Sequence, residues 1–149
     1  MVRFTPITNR EQVGGEALAA FDSIVDSRNR INGPHSIMMY APEVARTSTA
    51  LSDALRFGGN LSDHDTELAI IVAARHWDCD YVWASHSQAA LKAGVRPEVV
   101  EIIANDGNIN ALTREEAIIV RYGRELMDGH KVSEEAFDMA LAQFGEANT

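Results

Sequence analysis

The sequence predicts an all-α fold, and three observations carry that prediction. Apolar residues recur at three- and four-residue spacing in one segment after another. Helix-capping and helix-breaking residues stand between those segments. No stretch alternates apolar and polar residues as a half-buried strand does.

The elements follow in order. Glu16 to Arg30 carries Leu18, Phe21, Ile24 and Val25 at helical spacing, and Asn32-Gly33-Pro34 breaks the pattern. Pro42 suits the first turn of a second helix, where its missing N–H is harmless; this helix runs through Val44, Leu51 and Leu55 to Gly58-Gly59. Ser62 reads as the cap of a third helix, with Asp63, Asp65 and Glu67 in its first turns, where negative charge suits the helix dipole. Its stretch Leu68-Ala69-Ile70-Ile71-Val72-Ala73-Ala74 is apolar nearly all round, as expected of a central, buried helix. A break near Trp77-Asp78 precedes a fourth helix, Asp80 to Ala93, stopped by Gly94. Arg96-Pro97-Glu98 opens a short fifth helix through Ile103, and Asn105-Asp106-Gly107-Asn108 is a turn. Thr113 and Glu116 form the two ends of a capping box, whose helix runs to Gly129. Ser133 caps a last helix bearing Phe137, Leu141 and Phe144.

Length and composition bound the function classes. With 149 residues, 46% of them hydrophobic, residues 1–149 are expected to form one domain that folds without disulfides or structural metal. The formal charge of −9 disfavours nucleic acid and anionic membranes as partners. No run of about eighteen apolar residues would span a bilayer, and Met1-Val2-Arg3-Phe4-Thr5-Pro6 lacks the apolar stretch of a secretion signal. The expected location is therefore the cytoplasm. One cysteine excludes an internal disulfide, a four-cysteine zinc site and a CxxC redox pair.

Chemistry concentrates between Glu67 and His86. Downstream of Glu67 comes Arg75-His76-Trp77-Asp78-Cys79-Asp80-Tyr81-Val82-Trp83-Ala84-Ser85-His86. On a helix beginning near Asp78, Cys79, Val82 or Trp83, and His86 share one face, which continues through Ala89 and Ala90. Metal binding is not expected, because no HxxxH or ExxH pair supports Glu67, His76, Cys79 and His86 as a ligand set. The Gly-Gly and Asp-Gly pairs are not phosphate loops.

Glu67-Leu68-Ala69-Ile70, the segment Cys79 to His86, Ala89-Ala90 and Gly94 together resemble the core of the carboxymuconolactone decarboxylase-like family, which includes alkylhydroperoxidases of the AhpD type. Gly33-Pro34, Pro42-Glu43-Val44-Ala45, Val132-Ser133 and Phe144 extend the resemblance, which is nearest to members with a Tyr-x-Trp-x-x-His segment. It implies an AhpD-like helical bundle assembled as a trimer or hexamer; no cofactor is expected. It also implies a further apolar helix past Phe144-Gly145: either this sequence is a trimmed member, or its core closes without that helix, with a partner subunit in its place.

Two activities lie within the resemblance. The hydroperoxidases carry a glutamate, a CxxC and a histidine four residues after the second cysteine. Glu67, Cys79 and His86 match three of those positions, and Val82 stands at the fourth. A peroxidase built on Cys79 would need an external thiol. Cys79 and His86, seven residues apart, would be separated by about 10 Å along a helix, too far for direct activation. The decarboxylases need no cysteine. There His86 would act as general acid/base with Glu67 as its partner, on a small organic acid or lactone. Arg75 could hold a carboxylate, Tyr81 and Trp83 could wall the site, and His35 could line its mouth.

Plainer readings stand beside these. His86 could be an interior histidine, Cys79 a small buried hydrophobe, and Tyr81 and Trp83 packing residues. Arg75 could pair with Asp78 or Asp80. His35 reads as a solvated turn residue, and His64 and His130, at helix ends, as surface residues. The third class of function is a non-catalytic helical oligomer.

Overall fold

The structure, a computed structural model, describes residues 3–149. Among the described residues there are eight α-helices and no strand, so the all-α prediction holds. They are α1 (Ala17–Arg28), α2 (Gly33–Met38), α3 (Pro42–Phe57), α4 (Asp63–His76), α5 (Asp80–Lys92), α6 (Pro97–Ala104), α7 (Arg114–Gly129) and α8 (Glu134–Phe144). Helices α1–α3 belong to a compact unit that ends at Gly58, and α4–α8 to a second unit from Gly59 to Thr149.

In the first unit α1 and α2 both pack on α3. Phe21 and Ile24 of α1 join Ile7, Ile31, Met39 and Ala45 in its core. Ala45 and Thr49, one turn apart, are the buried positions of α3, and their small side chains allow close approach. Val44, Leu51 and Leu55, the residues that mark this helix in the sequence, are instead exposed. Arg28 and Asp53 tie α1 to α3 through a 2.6 Å ion pair, which Ser27 joins by a hydrogen bond to Asp53. The segment after Asn32-Gly33-Pro34 is not a turn. Pro34 lies in the first turn of α2, where it costs no hydrogen bond.

In the second unit α4 is central, packing against α5, α6 and α7. Leu68, Ile71 and Val72 meet Ala90, Val95, Val99, Ile103 and Val120 in one apolar cluster. Ala69 departs from the expectation of an all-round buried helix, because its position on α4 is exposed. Gly123 lets α7 approach α4 closely: a Cβ there would stand 2.9 Å from Val72 Cγ1. The predicted caps form. Ser62 accepts from the Asp65 N–H, Ser133 from that of Ala136, and Thr113 and Glu116 make the reciprocal box.

His64 corrects a sequence expectation. It is half-buried rather than at the surface. Its Nδ1 lies 2.9 Å from Asp65 Oδ1 and its Nε2 3.8 Å from Glu116 Oε1. Glu116, on α7, also accepts from Arg96 at 2.8 Å, so three helix N-termini meet in one polar network. Burial pushes the Glu116 carboxyl up, but the bonds from Arg96 and Thr113 prevail and hold it below its ordinary range. His130 does lie at the surface, in the left-handed conformation that ends α7.

Candidate active site

Glu67 and His86 face each other across the α4–α5 contact. His86 Nδ1 lies 2.7 Å from Glu67 Oε2. The Glu67 side chain is 8% exposed and that of His86 22%. A buried carboxylate needs partners to offset its desolvation, and the imidazole supplies one. With Glu67 accepting from Nδ1–H, Nε2 is the ring atom left to take or give a proton.

The turn before α5 builds a second feature. Asp78 adopts φ 45°, so the chain leaves α4 in a left-handed step and α5 starts at Asp80. Cys79 therefore caps α5 and is not part of its face, contrary to the sequence expectation. It is exposed, which also removes the reading of a buried hydrophobe. Cys79, Arg75 and Trp83 line one polar cleft of about 320 Å³, together with Asp78 and Asp80. Arg75 is engaged there: Nη1 pairs with Asp78 at 2.5 Å and Nε donates to the Ala104 carbonyl at 2.8 Å. Trp83 packs partly against the apolar cluster, whereas Tyr81 is 58% exposed. Neither Glu67 nor His86 lines this cleft. The sequence-predicted residues thus divide into a carboxylate–imidazole pair and a cysteine–arginine–tryptophan cleft.

His35 belongs to the first unit, on α2, and is half-buried rather than solvated. Burial pushes its imidazole below the ordinary value and the nearby Arg28 adds to this, while Asp53 opposes it. His76 pairs with Asp128 at 3.1 Å. Among the described residues no three His, Cys, Asp or Glu side chains group as a metal site would require. None of the described helices is long and apolar enough to cross a membrane.

The family model described as "Carboxymuconolactone decarboxylase family" matches residues 42–119. The chain belongs to that family. The match runs from the start of α3 into α7, so it includes Glu67, Cys79 and His86 and excludes His35 and α8. No curated protein and no solved structure matches the chain. Within the family's span, the 2.7 Å contact brings together a glutamate and a histidine nineteen positions apart in sequence.

Proposed function

We propose that the protein is a carboxy-lyase-like enzyme that uses His86 and Glu67 for acid–base chemistry on a small organic acid or lactone. The observation that carries this reading is the 2.7 Å contact between His86 Nδ1 and a Glu67 carboxylate that is almost fully buried. In a decarboxylation the bond from carbon to the carboxylate breaks and carbon dioxide leaves. The electron pair stays on the substrate carbon, where a neighbouring unsaturated or carbonyl group spreads it. That carbon then takes a proton. His86 Nε2 would deliver it, with Nδ1 held on Glu67 so that the ring keeps its aim through the transfer. Of the two aromatic residues on the same helix as His86, the exposed Tyr81 would help position the substrate, whereas Trp83 lines the separate Cys79–Arg75 cleft. The match of residues 42–119 to the carboxymuconolactone decarboxylase family supports this assignment, and a trimer or hexamer is the assembly we propose for the chain. The test is release of carbon dioxide from a panel of small unsaturated and lactone acids. Activity that falls by at least a hundredfold in both His86→Ala and Glu67→Gln supports the reading; activity that survives either change sinks it.

One observation favours a second reading. Cys79 is exposed at the head of α5, in a cleft shared with Arg75. A thiolate there could attack a hydroperoxide, breaking its O–O bond, leaving a sulfenic acid on Cys79 and releasing the alcohol. An external thiol would then condense with the sulfenic acid, releasing water, and a second thiol would regenerate Cys79. Thiol-dependent peroxide consumption lost in Cys79→Ser would support this reading.

A further inference from the structure

The second unit contains a cavity that the acid–base site does not use. It measures about 150 Å³ and lies between α4, α7 and α8. Val72, Ile118, Ile119, Tyr122, Ala140 and Phe144 form its apolar walls. Glu67, Cys79 and His86 are not among its lining residues. On α4 the cavity takes Asp65, Ala69 and Val72, a strip at helical spacing that is distinct from the position of Glu67.

Asp65, the one carboxylate side chain that lines it, is held in a fixed orientation. Asp65 is 7% exposed, Oδ2 accepts from Ser62 Oγ at 2.7 Å, and Oδ1 lies 2.9 Å from His64 Nδ1. A carboxylate has about four lone-pair sites, and those two contacts use two of them. The group can therefore accept one more hydrogen bond from a guest in the cavity. It would repel an anion.

We infer that this cavity is a binding site for a small neutral molecule of about one six-membered ring that carries a hydroxyl group, with Asp65 as the hydroxyl's acceptor. An apolar cavity of roughly 150 Å³ accommodates a benzene-sized guest. The walls supply the apolar contact, and the carboxylate supplies orientation. This guest differs in charge from the acid assigned to His86, so the two sites would select different molecules.

Phenol is the probe. It should raise the melting temperature of the protein in a concentration-dependent way, because it binds only the folded state. Ala69 stands exposed at the mouth of the cavity, so Ala69→Phe fills the space without cutting into the packed core. That variant should lose the phenol shift, whereas His86→Ala should keep it. Anisole, the methyl ether of phenol, has no donor and should bind at least about tenfold more weakly. In the unaltered protein, phenol should also move the NMR methyl signals of Ile118, Ile119 and Ala140, a readout that stands even if the Phe variant folds poorly. The proposal is overturned if millimolar phenol leaves both the melting temperature and those methyl signals unchanged. It is equally overturned if the shift is the same in a folded Ala69→Phe variant or vanishes in His86→Ala. Anisole binding as tightly as phenol would remove Asp65 from its assigned role.

Discussion

Gly123→Ala sets two effects of known sign against each other. Gly123 lies inside α7, where alanine is the better helix former by about 1 kcal/mol. The new methyl, however, would stand 2.9 Å from Val72 Cγ1. Val72 is 4% exposed and sits in the second unit's core, so its side chain has little room to move. Being β-branched on a helix, it has one strongly preferred rotamer. Overpacking of this kind costs about 1–3 kcal/mol. The contact to Met127 Cε, at 3.5 Å, is ordinary and adds nothing. The clash wins, and the net change is a destabilisation of about 1 kcal/mol. Urea unfolding followed by tryptophan fluorescence is the assay, because Trp77 and Trp83, the chain's two tryptophans, both lie in the second unit. The midpoint should fall with the slope unchanged. In a Val72→Ala background the offending carbon is gone, and the same Gly123→Ala change should stabilise by about 1 kcal/mol. A stabilising effect in the original protein, or the same effect in both backgrounds, would refute the reasoning.

Other expectations follow from the caps, the carboxylates and the thiol. Thr113→Ala removes the acceptor of the α7 cap and should cost about 1 kcal/mol by the same unfolding assay. Glu116 has a folded value below its ordinary 4.5, so the unfolded chain binds its proton first as pH falls. Its contribution is fully present above about 4.5 and is lost as pH drops through the lower folded value; Glu116→Gln should flatten the acid side of a stability–pH curve. Glu125 follows the same sign. The Ser133 backbone N–H and Arg121 hold it down to about 2, so its share disappears between its ordinary 4.5 and about 2, and Glu125→Gln should abolish that share. Cys79 should react with a thiol reagent in the native protein, one equivalent per chain; a thiol that reacts only after unfolding would contradict its exposed position.

Local chemistry made most of the fold legible. Ser62, Thr113 and Ser133 cap the helices they were expected to cap, because a hydroxyl two or three residues from its target N–H acts without help from the rest of the chain. The misreadings come where distant contacts or short elements decide. α2 has six residues, too few for periodicity to show, and Gly33-Pro34 read as a break although proline suits a helix start. Val44, Leu51 and Leu55 mark α3 by spacing, yet the small residues Ala45 and Thr49 are the ones it buries. His64 begins a helix and so reads as a surface residue; its partner Glu116 lies fifty-two positions away. Within the candidate site, the Glu67–His86 pairing was legible through the family's pattern. The exposure of Cys79 was not, because it depends on the left-handed step at Asp78, which delays the start of α5.

The central claim, that the Glu67–His86 pair is a working site for a small acid, has a direct test. It is the shift in melting temperature that one small carboxylate or lactone produces in the original protein, compared with the shift in His86→Ala. The account predicts at least one compound in such a panel that stabilises the original protein and leaves His86→Ala unmoved. A panel in which no compound stabilises the original protein, or in which every shift persists in His86→Ala, would contradict it.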